Sequence, residues 1–468
     1  MHIEQDLPAN KPMVFALAAS VLVASLGVSI ATVALPTLGR VFSADVRQVQ
    51  WVVLAYLLAV TVAIVLAGRL GDLYGQHRVL VAGLALFTLA SAACAAAPGL
   101  GWLIAGRVVQ GIGAAALMAL PLPIAKGLVA RGRVGTAMGL LGTMSALGTA
   151  AGPALGGLLI GALGWRAAFV LLMLSGAITL AVALRCIPKA VTARTGAGPM
   201  DWAGGSWLSI VLLCLALSAT GGASGLAIQP WMSLAVAAAA LVTFVHTERT
   251  AARPLVPLHM LRERPVATSL AMNLLVGAIM MSTLVVGPFF LSFGLGLNEG
   301  QTGLVMAVGP VVAALSGVPA GRATDRFGPH RTLMAGLLLT AAALCCFAVL
   351  STRFRVPGYV GALVLMTPGF QLFLAANNTA VMTGTHDADK GLLSGLLGLS
   401  RNLGFMAGAS LAPWTFAFML DGHGVAGSSS QAIGEAFTGT FAAAAGLCVL
   451  AIALALLGQG GRRGHAPQ

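Results

Sequence analysis

Two arginines stand inside stretches that are otherwise apolar: Arg107 in "LIAGRVVQGIGAA", Leu103 to Ala115, and Arg401 in "GLSRNLGFMAG", Gly398 to Gly408. A guanidinium stays charged and carries five N–H donors. At the centre of a bilayer it costs at least about 2.5–3.5 kcal/mol, so such a residue faces a wet cavity or finds a partner inside the protein. The natural partner is a carboxylate, but none of the 13 acidic residues falls deep within an apolar run. The chemistry on offer therefore suits a neutral or anionic solute rather than a cation. Asn273, Gln371, Asn377, Asn378 and Asn402 add hydrogen-bonding groups in the second half of the chain. Met144, Met280, Met281, Phe289 and Phe290 offer adaptable apolar walls. Each of these side chains can equally serve helix packing. The sequence has no H-E-x-x-H, phosphate-binding loop, nucleophile elbow or Cys/His metal cluster, so neither an enzyme nor a metal or cofactor site is expected. The six cysteines lie in or at the ends of apolar runs without a C-x-x-C, and are expected as buried free thiols.

The elements that hold these residues follow from composition. The chain has 468 residues, 58% hydrophobic and 8% charged. A soluble domain cannot hide so much apolar surface, and runs of about 20 apolar residues recur along the whole length. No ten-residue alternation of the β-barrel kind occurs. The breaks predict fourteen transmembrane helices, near 13–36, 50–68, 79–97, 102–124, 135–160, 166–186, 203–221, 230–247, 266–294, 302–320, 332–350, 357–382, 391–420 and 436–458. The first run is longer than a signal-peptide core and is expected to stay as a span. Between Asp201 and Glu248 lie 46 residues without a charge. One helix of that length would run about 69 Å, so "TGGASGLAIQP", Thr220 to Pro230, is expected to fold it into a hairpin. With both termini cytoplasmic, 19 of the 26 Lys and Arg residues fall in cytoplasmic segments, five outside, and Arg107 and Arg401 within spans. This bias orients the chain and accounts for the net charge of +13. There is no long basic run and no aromatic-basic interleaving, so no nucleic-acid partner is expected.

One polar segment is written twice. "GRLGDLYGQHR", Gly68 to Arg78, returns 253 residues later as "GRATDRFGPHR", Gly321 to Arg331, and both copies fall on the cytoplasmic side. Repeated halves related by an axis along the membrane normal give this pattern. The division expected is residues 1–187 as a six-helix bundle, 188–264 as a linker with two extra helices, and 265–468 as a second six-helix bundle. The candidate switch residues are Gly68, Asp72, Gly75 and Arg78, with Gly321, Asp325, Arg326, Gly328 and Arg331. Each Gly permits a tight turn or a close helix approach, and each Asp can cap the following helix or pair with a loop Arg. Span 5 carries a second pattern, "GLLGTMSALGTAAGPALGG", in which Gly148, Gly152 and Gly156 recur every fourth residue and form a smooth groove for another helix. Pro153 interrupts the backbone ladder there.

On these residues the chain resembles the major facilitator superfamily, and within it the fourteen-span drug:proton antiporters. Gly68, Leu70, Asp72 and Gly75, and again Gly321, Asp325, Arg326 and Gly328, match the family's signature loop. The resemblance implies that this loop latches the two bundles on the cytoplasmic side and breaks as the carrier turns. Gly139, Gly148, Gly152, Pro153, Gly156 and Gly157 match the antiporter motif of span 5, which implies export. Arg107, Gln110, Gly111 and Gly113 match the span-4 motif, whose arginine the resemblance links to proton transfer. "GWRAAF", "DWAGG" and "ERTAARPLVPLHML" are similar to further segments, so the likeness runs nearly end to end. It implies an all-α polytopic protein of the bacterial inner membrane that works as a monomer and exports amphiphilic drugs or metabolites by alternating access in exchange for protons. The chain departs from the pattern at "LGVSIATVALP", Leu26 to Pro36, where Gly27 and Thr32 replace the usual Asp and Asn. A buried carboxylate is the usual proton carrier. Its absence keeps open an exporter or facilitator without proton coupling.

Overall fold

The computed structural model describes residues 11–128, 134–187, 202–219, 229–250, 263–383, 390–420 and 425–457. Among the described residues all regular structure is helical, as an apolar medium requires of a chain that must satisfy its own backbone. The first half holds α1 (Lys11–Phe42), α2 (Val46–Val49), α3 (Trp51–Tyr74), α4 (Gln76–Ala95), α5 (Leu100–Ala119), α6 (Pro121–Leu128), α7 (Val134–Leu163) and α8 (Arg166–Cys186). Next come α9 (Trp202–Ala219) and α10 (Pro230–Thr250). The second half holds α11 (Arg264–Phe289), α12 (Glu299–Phe327), α13 (Pro329–Thr383), α14 (Lys390–Phe418) and α15 (Ser430–Leu457). Ten segments among the described residues are long and apolar enough to cross a membrane, with the kinked α13 counted once.

The two halves pack alike. In the first, α1 lies on α7, α3 on α5, and α4 on α8. In the second, α11 lies on α14, α12 on α13, and α13 on α15. The central spans of α1 and α11 are each 78% buried, against 28% for α10, so α1 and α11 sit at the middle and α10 at the outside. The extra pair is a hairpin, α9 against α10. Through α9 it touches α3 and α14, one helix from each bundle.

The repeat reaches beyond the loop that announces it. Gly75 (φ 95°) ends α3 and Gly328 (φ 83°) ends α12, each donating its N–H to the carbonyl four residues back, at 3.0 Å in both copies. Both lie in the left-handed region that glycine alone adopts without strain, and the next helix starts at once. Gly83 and Gly113 face each other so closely that a Cβ on either would lie 2.8–3.0 Å from the other's carbonyl oxygen. Gly336 and Gly369 repeat the contact at 2.7–2.9 Å. Gly83 and Gly336 are again 253 residues apart.

Spans near 332–350 and 357–382 are expected with a polar break between them, and α13 is two helices that meet at a kink, with one non-helical residue at Arg355 (φ 52°, ψ −127°). The two arms, 329–354 and 356–383, run antiparallel. Gly336 lies against Phe373, Gly369 against Thr340, and Gly358 against the Leu350 carbonyl. One reversed residue followed by Pro357, whose fixed φ starts a helix, replaces a loop.

Candidate functional site

A cavity of about 360 Å³ lies between the two bundles. The first bundle lines it with Ser25 and Val28 of α1, Leu57 and Val60 of α3, and Ser145, Thr149 and Pro153 of α7. The second contributes Met280 and Thr283 of α11, Met306 of α12, Met366, Phe370, Gln371 and Asn378 of α13, and Arg401, Asn402 and Phe405 of α14. Among the described residues Arg401 is the one charged residue of this lining, and no carboxylate is in it. At 1.5 Å per residue, Arg401, Gln371 and Ser145 all stand about 16–18 Å along their helices from the ends on the side of the repeated loops, near mid-bilayer.

The cavity is shut at the far face, opposite those loops. The Arg40 guanidinium donates to Glu299 at 2.9 Å and to the Ser292 hydroxyl at 3.2 Å, and sits 5.4 Å from the Phe293 ring centroid. Thr37 donates to the same Glu299 oxygen at 3.2 Å. Deeper in, Gly157 of α7 meets Gly303 of α12 backbone to backbone, and Gly161 lies over Gly300. Among the described residues, every side-chain hydrogen bond that crosses between the bundles belongs to this far-face cluster. On the loop side Arg78, Asp325, Arg326 and Arg331 are exposed, and among the described residues Asp325 makes no ion pair. Arg326 rests on the Phe327 ring at 5.4 Å. A Cβ on Gly68 or Gly321 would meet nothing within 4 Å. The side chain of Asp72 and the surroundings of Gly139 lie outside the described residues.

The arrangement is that of a carrier: two similar bundles around a midplane cavity, joined at one face. A profile described as Major Facilitator Superfamily matches residues 17–409 and, in a second match, 268–467. The chain belongs to the major facilitator superfamily. Among relatives of this superfamily member, the uncharacterized transporter YebQ of Escherichia coli K12 is 29% identical over 445 residues, 93% of this chain and 95% of that protein. The riboflavin transporter RibZ of Clostridioides difficile is 26% identical, covering 93% and 94%. The multidrug resistance protein Stp of Mycobacterium tuberculosis is 29% identical, covering 82% and 73%. A crystal structure of a peptide transporter of the POT family in complex with sulfate superposes with a TM-score of 0.69 at 14% identity, covering 95% and 94%.

The major facilitator fold gives the two membrane arginines opposite settings. Arg107 is fully buried within the first bundle, away from the cavity. Its Nε donates to the Val52 carbonyl at 2.7 Å, one Nη to the Gly27 carbonyl at 2.9 Å and the other to the Gln110 side chain. The Tyr56 ring lies beneath its guanidinium at 4.1 Å. Gln110 passes the chain on to the Ser91 hydroxyl at 2.7 Å. The arginine thus ties α1, α3 and α5 together through dipoles, with no acid. Gly27 is part of the same device: a Cβ there would stand 3.0 Å from the Tyr56 hydroxyl and 3.3 Å from Phe87. Arg401 shows the reverse. Its Nε is buried without a hydrogen-bond partner among the described residues, and its guanidinium lies 6.0 Å from the Phe405 ring centroid.

Other predicted residues divide between lining and packing. Gln371 lines the cavity while donating to the Ala313 carbonyl at 3.1 Å, and Asn378 lines it near the loop side. Asn273 donates to the Leu397 carbonyl at 2.7 Å, and Asn377 accepts from Ser269 at 2.7 Å. Both amides bridge helices of the second bundle, outside the cavity lining. Phe289 stacks on Phe293 at the far end of α11, and Met144 packs on the apolar core. The span-5 glycines also divide. Gly148, Gly152 and Gly156 admit α1: a Cβ at Gly152 would lie 2.7 Å from the Ile30 nitrogen and would overlap the Ser29 hydroxyl. That groove is internal to the first bundle, whereas Gly157, with Gly161 one turn on, meets the second. Sequence reasoning passed over Ser25, Ser145 and Thr149, short hydroxyls that read as ordinary helix residues. It also passed over Gly404 and Gly408, which seat α14 on α11 as Gly148 and Gly152 seat α7 on α1. The shared spacing of 256 residues was the available signal.

Proposed function

We propose that this protein exports small amphiphilic molecules, neutral or anionic, across the bacterial inner membrane by alternating access. The observation that carries the reading is the midplane cavity, joined across at one face only among the described residues. The bias of Lys and Arg puts the repeated loops and both termini in the cytoplasm, so this state takes its cargo from the cytoplasmic side. Export is supported by the span-5 pattern from Gly139 to Gly157, and by relatives named for multidrug resistance and riboflavin transport. A monomer holds the whole path between its own bundles. Fourteen spans and the drug:proton antiporter group fit the hairpin of α9 and α10 inserted between the halves.

Antiport with protons is the coupling that the resemblance implies. A second reading, export driven by the substrate's own gradient, is favoured by one feature. Gly27 stands where the carboxylate would be, its Cβ position is filled by Tyr56, and Arg107 is satisfied by carbonyls. Uptake of amphiphilic dyes into inverted vesicles, with and without an imposed pH gradient, tests both. Antiport requires uptake that collapses with the gradient. Saturable uptake indifferent to it selects the second reading, and no uptake beyond that of vesicles lacking the protein removes the exporter assignment.

A further inference from the structure

We propose that Arg401 is the anion-binding group of the central cavity, and that the preferred cargo is an amphiphile with one carboxylate or sulfonate. The inference rests on the exporter reading and narrows its substrate class. It starts from the contrast between the two membrane arginines. Arg107 shows what a structural arginine in this fold looks like: three hydrogen bonds, an aromatic ring beneath, and no cavity surface. Arg401 has none of those hydrogen bonds among the described residues, and it faces the cavity.

Its position is fixed by its neighbours. Gly404 and Gly408 lock α14 onto α11, with backbone close enough that a Cβ on Gly404 would lie 3.1 Å from the Ala278 nitrogen. Arg401 and Phe405, one turn apart, then both border the cavity. Asn402 and Asn378 line the same space with no side-chain hydrogen bond among the described residues to divert them, so their amide N–H groups supplement the guanidinium. Across the cavity the pseudo-equivalent of Arg401 is Ser145, by the 256-residue spacing that relates Gly148 to Gly404. Among the described residues the site is therefore charged on one wall only. A planar guanidinium at the midplane, without a counter-ion among the described residues, selects an oxyanion that accepts two parallel N–H bonds. Phe370, Phe405 and Met366 give the apolar body of such a molecule a flexible wall.

The test uses purified full-length protein in lipid nanodiscs and three probes on one scaffold: coumarin-3-carboxylate, coumarin-3-carboxamide and 3-aminomethylcoumarin. Binding is measured by equilibrium dialysis against empty nanodiscs. The carboxylate is expected to bind about tenfold more tightly than the carboxamide, with the amine weakest. Arg401→Gln should bring carboxylate and carboxamide within about twofold of each other while leaving the carboxamide nearly unchanged. Arg401→Lys, which keeps the charge without the fork, should fall between. The comparison on the unaltered protein stands even if a variant does not fold. The proposal is overturned if the carboxylate binds no better than the carboxamide, if Arg401→Gln keeps the original ratio, or if no saturable carboxylate binding occurs. Arg401-dependent binding without transport in vesicles keeps the site and removes the exporter reading. Transport of the three probes at equal rates does the opposite.

Discussion

Gly157→Ala isolates the contact that closes the far face. A Cβ added to Gly157 falls on the Cα of Gly303 and comes within 2.8 Å of both the Gly303 nitrogen and the Glu299 carbonyl oxygen. Backbone atoms cannot swing aside, so α7 and α12 must separate by about 1 Å to restore ordinary contact. Overpacking of this kind costs roughly 1–3 kcal/mol. The contact joins the two bundles, and under the proposed alternating access it is made only while the far face is closed, so the whole cost falls on that state. The equilibrium should move toward the far-open state by about 5- to 150-fold. Gly152→Ala is the matched control. Its Cβ overlaps Ser29 of α1, a partner in the same bundle that stays in contact throughout the cycle. It should lower thermal stability and leave the ratio of states alone. Spin labels on Val41 at the end of α1 and Leu304 of α12, both exposed, report the opening as a longer distance population. If Gly157→Ala gives the unaltered distance distribution, or if Gly152→Ala gives the same shift, the division of span 5 into an internal groove and one moving contact is wrong.

Three further outcomes follow. Glu299→Gln should loosen the same face by no more than about 1 kcal/mol, because Arg40 and Glu299 are 47% and 25% exposed and the pair is screened by water. Exchanging the two charges should restore the original label distances, and failure of that rescue would leave the pair without a gating role. Arg107→Met should destabilise the first bundle by about 1–3 kcal/mol, since carbonyls on α1 and α3 and the Gln110 side chain lose their donor together. A thermal unfolding midpoint in detergent that stays put would contradict it. Asp72→Asn should slow transport while the protein still reaches the membrane. Unchanged turnover would mean the repeated loop is only a turn.

The medium, the helices and the repeat were legible in the sequence. A chain with 58% hydrophobic residues broken at regular intervals has to satisfy its backbone internally, and the loop at Gly68 and Gly321 recurs because the same turn is built twice. It also marked both arginines, since a charge in hydrocarbon is visible in one dimension. What it left open was which helix each residue faces. Arg107 and Arg401 look alike in the sequence, yet one is saturated by carbonyls from α1 and α3, while the other lacks any such partner among the described residues. Gly152 and Gly157 sit five residues apart on one helix, yet they serve contacts of different kinds, one within a bundle and one between bundles. Asn273 and Asn377 read as cavity residues and are used between helices. These assignments depend on the rotation of each helix about its axis and on its neighbours across the bundle. Only packing in three dimensions sets those, because a helix that is apolar on all sides carries no periodic signal to say which face turns inward.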